Sequence, residues 1–316
     1  MKLVRPILLR LAYSVLSLLF IAAVTFLATD MAPGDPARVI AGEKATEQAY
    51  RTIRAEMGLD QPLPRRFAQY MTNLAQGDMG RSYFGARTPV VEKIKQNLPM
   101  TLTVASLAIG LAALVGISLG VFAGVRPGGW VDRVILGGST LGVTIPNFVL
   151  APVLVLILSV QMGLLPTSWS VNRTASDFYY LVLPVTILSL RPMATLTRLT
   201  RAQMIDTMQQ EFIRLAIAKG VPRTRLILRH GLRNAIMPVI TAMGTSFGFL
   251  LTGSFIVETA FTMPGIGREA IEAIQKRDIP MIQGTTLVAG ALFVFVNLVV
   301  DILQPILDPR IREAQV

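Results

Sequence analysis

The 316-residue sequence contains no cysteine and a single histidine, His230. The first absence excludes disulfides, thiolate metal sites and cysteine nucleophiles. The second leaves no histidine cluster for a metal or a proton relay. No GxxxxGK[ST] segment occurs, so the chain lacks the backbone phosphate cradle with which a P-loop protein binds nucleotide. Charged residues make up only 16% against 52% apolar, too few for an ordinary soluble domain. Aromatic residues are 7% and are not interleaved with basic ones, so the net charge of +11 does not describe a nucleic-acid surface. The basic excess lies in short segments beside apolar runs, which is how membrane proteins set their orientation.

Taken in order, Lys2, Arg5 and Arg10 precede an apolar run at 11–29. That run matches the ~20 residues needed to cross a bilayer, and no small-residue cleavage site follows. Residues 1–30 are therefore expected to be an uncleaved first span with its N-terminus inside. Residues 31–98 carry ten Lys/Arg against seven Asp/Glu, with helical spacing at 43–56 and 64–74 and turn signals at PGDP and GDMG. They are predicted to form a small helical domain outside the membrane, since long loops translocate regardless of charge. A passive spacer is the competing reading.

The remaining residues, 99–316, are predicted to hold five more spans. The second, 102–125, has Gly116, Gly120 and Gly124 at four-residue spacing, a stripe on which another helix backbone can approach closely. The third, 134–160, is interrupted by Pro146 and Pro152. Broken helices at membrane depth are tolerated where they face protein or a wet cavity. Thr144, Asn147 and Phe148 are therefore candidate pathway residues, against the alternative of a simple kink. The NRT triplet at 172–174 matches a glycosylation pattern too short to be assigned anything, and Trp169, Tyr179 and Tyr180 fit an interfacial aromatic belt. The fourth span, 180–196, contains Arg191, which is either a functional intramembrane cation or one that snorkels to the inner face. The fifth, 239–257, has the close-packing pair Gly244 and Gly248. Residues 258–281 are too polar to span and are predicted to form an outer re-entrant or interfacial segment, with a turn at MPGIG launching a short helix at 268–275. Glu258 at its start completes the candidate pathway set. The sixth span, 282–304, ends before LDPRIR, whose arginines return the C-terminus inside. The fold class is thus an all-α membrane protein of six spans, with both termini inside.

Between the fourth and fifth spans, residues 198–238 hold eight Lys/Arg against only Asp206 and Glu211. Thr207 and Gln210 have capping-box spacing, Gly220 suits a left-handed helix end, and Pro222 suits the first turn of a second helix. A solvated basic loop is the plain alternative to two short helices hinged at Gly220.

Ala216 and Gly220 in RLAIAKG, followed by Asn234 and Pro238, resemble the EAA loop of ABC importer permeases. They are closest to the long form of the dipeptide/oligopeptide/nickel family, although Arg214 stands where the generic motif has glutamate and Leu215 where it has its first alanine. MAPGDPA, LPMTLTVASLAIG, FTMPGIG, RDIPMIQG and NLVVDILQPILDPRIR look like the same family in the same order, and MAPGDPA with a sizeable outer domain is similar to its first, B-type, subunit. The resemblance implies a permease of the bacterial cytoplasmic membrane. Its implied partners are a homologous second permease, two cytoplasmic ATPases that bind ATP and Mg, and an extracytoplasmic solute-binding protein. It implies no cofactor, metal or catalytic residue in this chain. Glu211, Arg214, Ala216, Lys219, Gly220, Pro222, Arg223 and Arg225 would couple to the ATPases, and Arg229, Arg233, Asn234 and Pro238 would anchor the loop. The family handles dipeptides, oligopeptides, nickel complexes, glutathione, opines and oligosaccharides, and the sequence does not choose among them. An ion-coupled secondary transporter would usually carry mid-span carboxylates, whereas Asp301 lies near the inner end of its span and Glu258 at the outer end of another. An intramembrane enzyme would need a nucleophile–base pair that is not evident.

Overall fold

The computed structural model describes residues 4–32, 34–42, 45–169 and 176–307. The NRT triplet and the arginines of LDPRIR lie outside these. In chain order the helices are α1 (Val4–Met31), α2 (Pro36–Ala41), α3 (Glu47–Glu56), α4 (Leu63–Ala75), α5 (Val90–Val125), α6 (Trp130–Thr144), α7 (Asn147–Leu154), α8 (Asp177–Met208), α9 (Glu211–Ala218), α10 (Arg223–Arg225), α11 (Arg233–Gly253), α12 (Phe255–Ala260), α13 (Ile266–Lys276) and α14 (Ile279–Leu307). π-helical turns at Val155–Gln161 and Leu226–Leu232 extend α7 and join α10 to α11. Among the described residues the one β feature is an isolated antiparallel bridge between Arg81 and Pro89.

Among the described residues five helices are long and apolar enough to cross a membrane: Leu8–Met31, Val90–Val125, Asp177–Met208, Arg223–Thr252 and Ile279–Gln304. The expected third span is present as two halves, Trp130–Thr144 and Asn147–Gln161, bent by 102°. The count is six if that pair is one span. The break falls where Pro146, the N-cap of α7, has no N–H to continue the ladder from α6.

At the centre α5 lies along α8, and the glycine stripe makes the contact. A Cβ on Gly116 would sit 2.7 Å from the Met193 carbonyl oxygen; on Gly120, 2.7 Å from that of Thr197; on Gly124, 3.0 Å from that of Arg201. Both helices advance by four residues per contact, so small residues on one receive the backbone of the other. Between α11 and α14, Gly244 and Gly248 receive side chains instead, those of Val300 and Phe293.

Helix α5 begins at Val90 rather than near residue 102. Its first turns are amphipathic: Val90 and Ile94 pack with Ile266, Ala273 and Met281 of α13 and α14. Glu92, Lys95 and Gln96, which appear to end a soluble domain, are the exposed face of that same helix. Through this extension the α2–α4 cap is joined to the long helices. Within the cap, Asp35 caps α2 through the Ala37 N–H (2.9 Å) and ties it to α3 by accepting the Tyr50 hydroxyl (2.5 Å) and the Arg54 guanidinium. Asp30 pairs with Arg66 at 2.5 Å beside stacked Phe26 and Tyr70.

Two outcomes follow from these contacts. Gly120→Val drives a side chain into the α8 backbone and should cost at least ~1–3 kcal/mol, lowering the unfolding midpoint of the detergent-solubilised protein. A variant melting with the wild type contradicts the α5–α8 register. Burial pushes the Asp35 carboxyl up, but the Tyr50 hydroxyl, the Ala37 N–H and Arg54 outweigh it and hold the group below the ordinary carboxylate range. A carboxyl lowered on folding stabilises above its unfolded pKa, and that contribution is lost as pH falls through the folded value. Amide exchange of α2 and α3 should therefore accelerate below about pH 4, with the step absent in Asp35→Asn.

Candidate functional site

The basic loop is built from the end of α8, α9, α10 and the π turn into α11. The expected capping box does not form. Thr207 stays helical and buried inside the last turn of α8, and α9 starts at Glu211 after an extended Gln210 that makes no side-chain cap. A capping threonine must leave the helix, whereas burial keeps Thr207 in it. The other end of α9 closes as expected. Gly220 has φ +71°, its N–H donates to the Ile217 carbonyl (2.9 Å), and the Val221 N–H donates to Ala216 (3.1 Å). That is the paired Schellman closure, and Val221 packs with Ala216 as such ends require. Pro222 sits one position earlier than expected, as the N-cap of α10.

Helix α9 is seated by one face. Ile213, Ala216 and Leu226 are buried together, with Met208 and Val221 against them. Its other side presents Phe212, Leu215 and Ile217, the last two about 60% exposed, beside Glu211, Arg214 and Lys219. Behind the seat, Gly231 of the π turn is buried where a Cβ would stand 3.1 Å from Met208 Sδ. The Asn234 amide donates back to the His230 carbonyl at 2.7 Å. Arg223, Arg225, Arg229, Arg233, Asn234 and Pro238 are exposed. Among the described residues, Arg201 alone of the eight loop cations has a carboxylate within ion-pair distance. Its guanidinium grips Asp132 of α6 by two bonds, Nε to Oδ1 at 2.5 Å and Nη2 to Oδ2 at 2.7 Å.

The pathway candidates separate into two groups. Thr144 and Phe148 are exposed and Asn147 half-buried at the α6–α7 corner. Arg191, also exposed, follows Leu190, the residue that α6 approaches at Gly142. Glu258 is elsewhere and fully enclosed. Its carboxylate accepts the Ser254 hydroxyl (2.8 Å) and the backbone N–H groups of Gly267 (2.7 Å) and Arg268 (3.3 Å). The Ile266 N–H donates to Thr101 at 3.0 Å. The first three donors of α13 are thus satisfied by two side chains outside the helix, one of them remote in sequence. Gly265 and Gly267 leave room for that carboxylate, since a Cβ on either would lie within 3 Å of Glu258 Oε2.

The family described as "binding-protein-dependent transport system inner membrane component" matches residues 116–313, and its N-terminal companion matches residues 3–105. The chain belongs to that family. It is 40% identical over 309 residues to a Brucella abortus protein provisionally named a peptide transport system permease, covering 97% of this chain and 98% of that one. It is 38% identical over 296 residues to the glutathione transport system permease protein of Escherichia coli K12, covering 94% and 95%. This permease is thus a multi-pass membrane component of an ABC importer.

Two features of the permease escape sequence reasoning. The Asp132–Arg201 pair joins residues 69 positions apart, and Arg201 is one basic residue among eight. The role of Glu258 could have been inferred only from its distance to Gly265 and Gly267, a spacing that has meaning once the hairpin is folded. Glu258→Ala should destabilise the hairpin by about 1–3 kcal/mol for each buried donor left unpaired. Faster amide exchange at Gly267 and Arg268 is the signature, with a smaller effect in Glu258→Gln. Unchanged exchange at both contradicts the capping role.

Proposed function

We propose that this chain is the first of two related permease subunits in an importer of peptides or similar small solutes in the bacterial cytoplasmic membrane. In this reading it spans six times with both termini inside, and the α2–α4 cap meets a solute-binding protein outside. Two ATPases, which bind ATP and Mg, dock on the basic loop, and the second permease completes the pathway past Thr144, Asn147, Phe148 and Arg191. The relatives' names and the family's reliance on a binding protein support it.

The observation that carries the reading is the construction of α9. It is an eight-residue helix closed at Gly220, fastened by a buried apolar face, and left with Phe212, Leu215 and Ile217 outward among cations that have no partner in the described chain. A helix so fastened transmits force, and its outward face suits a groove with an apolar floor and an acidic rim. ATP binding by the docked subunits would favour one of two bundle arrangements through its differential affinity for them.

Mild-detergent purification of the tagged chain from its native membrane should bring down a second six-span permease and ATPases. In the reconstituted complex, Gly220→Pro removes an N–H and forbids φ +71°, and Ala216→Asp puts a charge in the α9 seat. Both should reduce ATP-driven uptake to background. Wild-type uptake in either assembled variant refutes the coupling assignment.

A further inference from the structure

Of the fifteen residues of α6, only Asp132 and Ser139 are buried. Trp130, Val134 and Leu141 are each more than 60% exposed. Apolar packing within this chain therefore does little to hold α6, and two contacts fasten it to α8. One is the approach of Gly142 to Leu190 and Ala194. The other is the pair at its first turn, where Asp132 is 2% exposed and Arg201 meets it with both arms of its fork. Asp132 Oδ2 also accepts the Gly128 N–H at 2.8 Å, so the same carboxylate fixes the turn between α5 and α6.

A buried ion pair is a weak source of net stability, because two desolvated charges do little better than two apolar side chains of the same volume. A two-armed pair does define relative position sharply. The position it defines here matters. Arg201 lies two turns before Met208, the last residue of α8, which packs in the seat of α9. Only Gln209 and Gln210 separate α8 from α9. At the far end of α6, roughly 18 Å from Asp132 at ~1.5 Å per residue, is the corner at Thr144–Phe148.

We infer that Asp132 and Arg201 are positioning residues that make α6 travel with α8, so that displacement of α9 reaches the α6–α7 corner. This inference rests on the import reading above. The α6–α8 unit then moves as one body relative to α1, which packs on α14 and α4. Neither residue touches solute or nucleotide.

The chain's lack of cysteine makes placed labels unambiguous. Spin labels would be attached in the assembled complex, with partner cysteines replaced, at the exposed pairs Leu141→Cys with Arg198→Cys (α6 to α8) and Leu141→Cys with Phe20→Cys (α6 to α1). Distances are read without nucleotide and after trapping with ATP and vanadate. The wild type should keep the α6–α8 distance and shift the α6–α1 distance. Asp132→Asn and Arg201→Lys should lose more than half of that shift and broaden the α6–α8 distribution, with ATP hydrolysis near the wild-type rate. The charge-swapped double variant D132R/R201D should regain the shift. A wild-type α6–α8 distance that changes between states overturns the inference without any variant, as does a full α6–α1 shift in both single variants. Failure of the wild-type chain to assemble with ATPases at all counts against the import reading instead.

Discussion

In a bilayer, apolar helices gain nothing by turning apolar faces toward one another, because the lipid is as apolar as they are. What holds them is close contact between backbones and the few polar groups they bury. The α5–α8 contact is the case on which this permease depends. Gly116, Gly120 and Gly124 admit the α8 backbone so closely that a methyl group at any of them would overlap it. That contact fixes the axial position of α8, and much of the functional geometry is attached to α8. Its Met208 end seats α9, its Arg201 receives α6, and its Leu190 faces Gly142 near the corner. A shift of α8 by one residue would misplace all three together.

The buried charges obey a second constraint, that a desolvated polar group needs partners wherever it lies. Glu258 and Asp132 are both enclosed, and each is met by an accounted set of donors. Glu258 has a hydroxyl and two backbone N–H groups, while Asp132 has a guanidinium and one backbone N–H. Their consequences differ. Glu258 closes a hairpin upon itself within ten residues, so it confers local rigidity. Asp132 joins two long helices, so its effect is on how they move.

What was legible in the sequence was whatever local chemistry decides. Glycine spacing announced the α5–α8 and α11–α14 contacts, Gly220 announced the end of α9, and apolar run length announced the long helices. The misread features are those decided by tertiary burial. Thr207 and Gln210 have the spacing of a cap, but Thr207 is enclosed and stays in α8. Residues 91–98 look like the end of a soluble domain, but Val90 and Ile94 on their inner side pack on α13 and α14. Pro146 was legible as an interruption, but the 102° size of the bend was not. The Asp132–Arg201 pair left no trace, because a single Asp after a turn and a single Arg in a basic stretch are ordinary until folding brings them together.

The motifs carrying the family likeness on the cap side turn out to be junctions. Asp35 of MAPGDPA binds α2 to α3, and Gly34 of the same motif lies where a Cβ would overlap the Arg277 guanidinium. Gly265 and Gly267 of FTMPGIG admit the Glu258 carboxylate. Asp278 of RDIPMIQG accepts the Ser82 hydroxyl and the Tyr83 N–H, and Gln283 reaches Thr29 of α1 at 2.8 Å. The cap is thus fixed to the long helices by polar bonds at several places, with Arg66 paired to Asp30 of α1, while Arg51 and Arg54 are paired within the cap. The loop has the opposite economy, with an apolar seat and cations that, Arg201 apart, have no carboxylate partner in the described chain. Paired charge is satisfied within the chain, whereas unpaired charge leaves a surface open to solvent, counterions or an acidic partner. The same chain therefore presents a self-contained face at the cap and an incomplete one at the loop, and it is the incomplete face to which α8, and through Arg201 also α6, is directly attached.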